Sequence, residues 1–326
     1  MIQAFLHRAI IQGIPLLYGS VGEMITEKSG HLNLGIPGIM YVGAISGVIG
    51  AFLYEQQVPA DQINGFLAVL IPFACAVLAS LLMGLLFSFL TVTLHANQNV
   101  TGLAMTTFGT GLGNFFGGSL IKLAGSDMPS IALTTTSGYF RKPLLFADHP
   151  NFLGGIFSMS FMTYLAILIA ILASLVLSRT RVGLHLRAVG EDPSTADAAG
   201  INVNRYRYFA TCVGAVIAGL GGLYYIMDYA FGVWSNNGFG DRGWLSIALV
   251  IFCVWRPSWA IPGSILFGGL FIIYNYIPDI SISQQELIKM LPYLVTILVL
   301  IVTSMRSKHE NQPPKGLGEG YFREER

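Results

Sequence analysis

Charged and amide side chains are scarce in this 326-residue chain, so each place where they gather is informative. Glu23, Glu27, Lys28 and Asn33 form one cluster, interleaved with Gly30, Gly35, Pro37 and Gly38. Two readings stand. A helix broken at those glycines and that proline exposes backbone groups toward a polar cavity. Alternatively, a plain turn between two apolar segments leaves Glu27 and Lys28 in water. Glu23 is the stronger candidate of the two acids, because the apolar stretch before it is short. A second cluster is Asn97, Gln98, Asn99 and Thr101, followed by Thr106, Thr107, Thr110 and Asn114. Uncharged amides and hydroxyls suit hydrogen bonds to a neutral polyhydroxylated or heterocyclic solute, or bonds between helices. Glu23, Asn33, Asn97, Asn99, Thr101 and Asn114 are therefore the candidate solute-facing residues. Asp241 and Arg242 read as a pair at the outer surface, with Asp228 and Trp234 nearby and suited to touch a docking protein.

Other chemistry is missing from the pattern. The six histidines stand singly without metal-ligand spacing, and no metal site or cofactor is expected. Cys75, Cys212 and Cys253 lie in apolar segments and read as small buried hydrophobes. No G-x-x-x-x-G-K-[ST] phosphate loop occurs. No set of His, Asp, Ser or Glu residues converges at one depth, so an enzyme is not expected. A net charge of +1 argues against a nucleic-acid partner.

The elements that hold these residues are apolar helices. The chain is 53% apolar and 11% charged, against roughly 25% charged in soluble domains. Residues 62–121 and 149–178 carry no formal charge. A helix of about 20 apolar residues crosses a hydrocarbon core of about 30 Å, so the first run holds two spans and the second holds one. Spans are predicted at 5–22, 32–53, 66–90, 99–121, 157–178, 208–227, 244–256, 260–277 and 289–305. The fold class is an all-α, polytopic transmembrane bundle of about eight to ten spans. The 244–256 stretch is too short to cross alone and reads as a half-helix or a tilted re-entrant segment. Small residues at four-residue spacing (Gly43 and Gly47; Gly109, Gly113 and Gly117; Gly214, Ala218 and Gly222) predict close helix packing.

Basic residues set the orientation. Placing 179–208 and the tail from 306 in the cytoplasm puts 12 Lys and Arg inside and five outside, with Arg8 unassigned. That follows the positive-inside rule. The 122–156 loop then lies outside and is expected to carry a short surface helix near Tyr139–Arg141 or Asn151–Phe157. Strict alternation puts the N-terminus outside unless 23–31 is re-entrant. The transmembrane domain is 1–305; the charged tail 306–326, rich in Pro and Gly, is predicted to be disordered in the cytoplasm.

The cytoplasmic segment from Val182 to Arg207 carries explicit helix punctuation. Asp192 followed by Pro193 is an N-cap with proline at the first helical position. Gly200 is the stop, and the short helix between them is about 10 Å long. Asn202 or Asn204 caps the next helix. With Ala196, Ala198 and Ala199 on so short a helix, the segment suits insertion into a groove of another protein.

The string Asp197-Ala198-Ala199-Gly200 resembles the coupling-helix region of ABC importer permeases. The longer string GLHLRAVGEDPSTADAAGINVNRYRY resembles those of the branched-chain amino acid, ribose and simple-sugar type. GEMITEKSGHLNLGIPG, residues 22–38, resembles the N-terminal signature of the nucleoside subgroup, served by basic-membrane-protein-like lipoproteins. The resemblance covers about 5–305 and implies a type II-like importer permease in the bacterial plasma membrane. It implies three kinds of partner: an ABC ATPase subunit, a second related permease chain, and an extracellular substrate-binding lipoprotein. ATP would then be bound and hydrolysed by the partner. It assigns ATPase coupling to Gly183, Arg187, Gly190, Glu191, Asp192, Pro193, Asp197, Ala198, Ala199 and Gly200. It also makes Glu23, Asn33 and the second polar cluster pathway candidates for a nucleoside or, failing that, a ribose-like sugar. An ion-coupled secondary transporter would need ionisable groups deep in its spans; the charge-free runs argue against it, and Glu23 alone favours it.

Overall fold

A computed structural model describes residues 2–123, 130–145, 152–278, 281–306 and 312–322. The chain is helical. α1 (Ile2–Glu27), α2 (Ile36–Gln57), α3 (Gly65–Ser88) and α4 (Gln98–Leu123) come first. α5 (Thr134–Phe140) and α6 (Phe152–Phe157) are short and bracket the 141–151 connection. They lie where a surface helix was expected. α7 (Phe161–Arg179), α8 (Arg181–Glu191), α9 (Pro193–Ala198) and α10 (Val203–Tyr224) follow. Then come α11 (Arg242–Phe252), α12 (Pro257–Ile272), α13 (Ile282–Lys289) and α14 (Leu291–Arg306). Two three-residue strands, β1 (Ser130–Ala132) and β2 (Val233–Ser235), pair antiparallel with Ile131 opposite Trp234.

Among the described residues, six helical segments are long and apolar enough to cross a membrane: 36–57, 65–93, 161–179, 203–229, 257–276 and 283–302. α1 and α4 have 26 residues each, about 39 Å of helix, but carry more polar side chains. α11 has 11 residues, about 16 Å, and packs on α1, α2, α12 and α14. It is the half-length helix anticipated at 244–256. The eight to ten spans therefore divide into six apolar spans, two long polar or glycine-bearing helices and one short interior helix.

α1, α2 and α10 form the centre, and small residues are what let them meet. Gly22 faces the Gly214 carbonyl, Gly43 faces Gly219, Gly109 faces Gly38, and Gly222 faces the Met40 carbonyl. A methyl group at any of these would collide with backbone, as the predicted ladders require. α3, α7 and the 283–302 segment turn most of their apolar surface outward; Leu168, Ile171, Leu172 and Leu175 are exposed together on α7. In lipid that face costs nothing, whereas water would make it an aggregation patch.

Two polar ends result. At one, His7 Nδ1 lies 3.4 Å from the Ile156 carbonyl, and Phe5 packs edge-on against Tyr276 at 5.1 Å. Thr136 N–H there donates to Glu55 at 2.8 Å. The start of α1 thus shares its end with the 130–160 segment, the end that the basic residues place outside. α1 runs unbroken to Glu27, and a turn at 28–30 follows it. The other, inner end gathers the α1–α2 turn, α8, α9 and the tail. The prediction of a disordered tail fails for residues 312–322. Pro314 and Gly316 are buried there, because this stretch bonds through its backbone to the α8–α9 corner and the α1–α2 turn.

Candidate functional site

α9 forms as its sequence dictates. The Asp192 Oδ1 accepts the Ser194 and Thr195 amides at 3.0 Å each, and Thr195 Oγ1 donates to Oδ2. These hydrogen bonds, the Thr195 side chain's first, hold the Asp192 carboxyl below its usual range. Pro193 occupies the first helical position, where its missing N–H is no loss. At the other end Gly200 adopts φ +82°, and the Ile201 amide reaches back to the Ala196 carbonyl at 3.0 Å. That is a Schellman stop. Asn202, not Asn204, then caps α10 through the Arg205 amide at 2.9 Å. Ala196 is buried against Val189 and Val203, while Glu191, Asp192, Ser194, Ala198, Ala199 and Gly200 are exposed. Arg187 is exposed on α8, and Asp197 and Pro193 are half-buried. Gly183 and Gly190 sit inward, against the Val176 and Lys28 carbonyls respectively. Of the ten residues marked for coupling, six are exposed on α8, α9 and the turns beside them, Pro193 and Asp197 are half-buried, and two glycines are buried contacts.

The N-terminal cluster is neither a cavity wall nor a solvated turn. Glu23, Glu27, Ser29, His31 and Asn33 are all buried. Glu23 Oε1 accepts the Asn33 amide at 2.9 Å, and Asn33 Oδ1 accepts the Gly35 amide at 2.9 Å. Glu27 accepts the indole N–H of Trp255, which lies in a left-handed turn after α11. His31 Nδ1 pairs with Thr211 Oγ1 at 2.8 Å, beside the Phe87 ring. Burial, then the Arg207 charge, pull its pKa from 6.5 to about 3, so the ring is neutral. Lys28 is partly buried beside Glu191 and Arg187, and burial lowers its ammonium pKa. Sequence reasoning missed His31, Arg207 and Trp255. A lone histidine in a glycine-rich turn gives no spacing signal, and its partners come from α10 and α3.

The second cluster divides. Asn97 caps α4 through the Val100 amide at 3.0 Å. Asn99 is exposed and Thr101 is buried. Gln98, not marked, joins the turn instead: its Oε1 accepts the Leu32 amide at 2.8 Å. Asn114 lies higher on α4 in a closed triad. Tyr41 OH donates to Asn114 Oδ1 at 2.6 Å, Asn114 Nδ2 to Asn237 Oδ1 at 2.9 Å, and the Asn237 amide to Tyr41 OH at 2.8 Å. Glu23, Asn33 and Asn114 are thus tied to protein groups, and the six candidates do not share one site.

A different cavity opens at the outer end, about 760 Å³, among α1, α7, α10 and α12. Asp228, Thr163, Tyr224, Arg141, Tyr229 and Phe231 are on its wall. Thr163 Oγ1 lies 3.2 Å from Tyr224 OH, and Arg141 stacks 3.9 Å over Phe231. Asp228 is buried, yet its Oδ2 has no partner among the described residues. A buried carboxylate oxygen without a donor is costly. The expectation that Asp228 and Trp234 touch a docking protein is corrected, since both are buried. So is the outer-surface pair of Asp241 and Arg242. Arg242 is buried, donates to the Phe239 carbonyl at 2.8 Å and lies over the Tyr225 ring at 4.5 Å.

Comparison with known proteins matches residues 5–300 to the family described as "Branched-chain amino acid transport system / permease component". The "Putative glucose ABC transporter permease protein TsgC13" of Haloferax volcanii is 30% identical over 95% of this chain and 94% of its own length. The "Nucleoside ABC transporter permease protein NupC" of Lactococcus lactis subsp. cremoris is 33% identical, covering 92% of each chain. The "Guanosine ABC transporter permease protein NupQ" of Bacillus subtilis is 28% identical over 89% of each.

Proposed function

We propose, from the premise that this chain belongs to the family of branched-chain amino acid transport system / permease components, that it is the membrane permease of a nucleoside importer. Permeases of ABC transporters work with ATPase and substrate-binding partners. In this reading a partner ATPase engages the exposed rim of α9, and a binding lipoprotein delivers solute at the outer end. A second, related permease chain completes the channel. The bundle then alternates between outward- and inward-facing arrangements while the ATPase hydrolyses ATP.

The observation that carries the reading is the capped, two-turn helix α9 standing out of a bundle that aligns along nearly its whole length with nucleoside permeases. The outer cavity supports it chemically. Its wall sets the Asp228 carboxyl and the Thr163 and Tyr224 hydroxyls beside the Phe231 and Tyr229 rings, the mixture of polar and aromatic groups that suits a nucleoside. A sugar is the second reading, favoured by the relative from Haloferax volcanii.

The test is uptake of a radiolabelled nucleoside by cells expressing the whole transporter with an active or a catalytically dead ATPase. Uptake only with the active ATPase is expected. Uptake that persists with the dead subunit sinks the importer reading. ATP-dependent accumulation of a hexose or ribose but no nucleoside selects the sugar.

A further inference from the structure

Residues 312–322 lie beyond the stretch that the family matches, yet they bond to four separate elements of the inner end. The Gly316 amide donates to the Gly190 carbonyl at 2.9 Å, at the corner between α8 and α9. The Gly318 amide donates to the Gly30 carbonyl at 3.1 Å, in the α1–α2 turn. The Glu319 carbonyl accepts from Arg207 Nη1 on α10 at 3.1 Å and from Gln98 Nε2 on α4 at 3.2 Å. Gln98 closes the circuit by accepting the Leu32 amide with its other end.

The joint has no slack. A methyl group on Gly30 would stand 3.1 Å from both Gly190 Cα and the Gly316 carbonyl oxygen. Gly318 holds φ +81°, which a residue with a Cβ adopts only under strain. Arg207 is buried with Nε and Nη2 unpartnered among the described residues. Its bond to Glu319 is thus one of the few that offset the cost of burying its charge.

We infer that residues 312–322 are a clamp fastening the α8–α9 corner to the α1–α2 turn, so that a push on α9 is delivered to α1 and α2. Apart from the segment, the corner meets the turn where Gly190 approaches Lys28 and Gly30 closely and where the Lys28 ammonium lies near Glu191. The clamp adds directional backbone hydrogen bonds that hold in both senses. It leaves Ser194, Ala198 and Ala199 exposed, while touching Gly190, Glu191 and Pro193 of the residues marked for coupling. The identity of the pushing partner rests on the proposed function; the mechanical link does not.

The experiment compares the full transporter with one whose permease stops after Asn311, and with a Gly318→Val permease in case the truncated chain folds poorly. Both variants are expected to insert and to retain the ATPase on purification. ATP hydrolysis should continue while nucleoside uptake falls roughly tenfold, a loss within the range by which coupling changes act. Amide exchange supplies a readout that needs no transported solute. In the wild type, ATP binding should change exchange at 28–33 and at 187–200 together; in both variants the change at 28–33 should vanish. Uptake within about twofold of wild type, or exchange still linked in both variants, overturns the clamp. So does loss of the ATPase, because the segment would then be docking surface. If the wild type takes up no nucleoside, the solute reading fails and the exchange result still decides the clamp.

Discussion

At the inner end, Glu23, Glu27, His31 and Arg207 are buried among backbone amides, an indole, a threonine and the tail, with glycines closing every gap. At the outer end, Asp228 and Arg141 border a cavity of about 760 Å³, and one Asp228 oxygen has no donor among the described residues. The two ends bury polar groups for opposite purposes. A packed, cross-bonded joint moves as one piece, which suits force arriving from outside the membrane. The outer end instead leaves a hollow with a buried carboxylate on its wall. The lesson is that burial of charge in this bundle does not by itself mark a solute site. What separates the two ends is packing, since unpartnered buried atoms occur at both among the described residues: Glu23 Oε2 and Arg207 Nε and Nη2 at the inner end, Asp228 Oδ2 at the outer.

Substitutions that treat both ends alike should therefore separate them. Gly190→Val should do the most damage, since its side chain would drive into the Lys28 carbonyl. Overpacking of this kind costs typically 1–3 kcal/mol. A marked drop in melting temperature of the detergent-solubilised protein is expected, together with loss of uptake. A fully stable, active variant would show that the joint has slack. Asp228→Asn at the outer end should leave melting unchanged or raised, because a buried charge is removed. Uptake should show a KM raised about tenfold, the scale of one hydrogen bond to a charged group. A destabilised protein with normal KM would make Asp228 a structural residue and erase the contrast. Tyr41→Phe, between the ends, leaves Asn114 Oδ1 and the Asn237 amide each short of a partner. About 1 kcal/mol of stability per lost bond is expected, with uptake little changed.

Much of this contrast was legible in the sequence, and the parts that were not have a common cause. α9 was readable residue by residue because its cap, its proline and its terminal glycine are neighbours along the chain. The glycine ladders were readable because helix period turns spacing into a face. Glu23 drew attention through the short apolar stretch before it, but its partner is the Asn33 amide, ten residues on and across a turn. Asp228 looked like a surface group, since nothing local says that α7 and α1 fold over it. The tail misled most directly. Proline, glycine and charge are the composition of disorder, yet the same glycines are what a backbone needs to approach Gly30 and Gly190 closely. Long-range pairing of backbone groups leaves no mark in side-chain pattern.

The smallest effect concerns pH and tests whether the inner joint is packed as tightly as its glycines imply. His31 titrates near 3 in the folded protein, against an ordinary value of 6.5. Between those values the unfolded chain binds a proton that the folded chain refuses. Stability from this group is therefore complete above pH 6.5 and is lost as pH falls toward 3. At pH 6 the loss should be roughly 0.8 kcal/mol. Comparing melting at pH 7.5 and pH 6 for the wild type and for His31→Gln isolates that share, since glutamine keeps a hydrogen-bonding atom near Thr211 and does not titrate. The wild type should lose more stability than the variant over that interval. Equal losses would mean that water reaches the ring at the inner end, and the joint would then resemble the outer cavity more than its packing suggests.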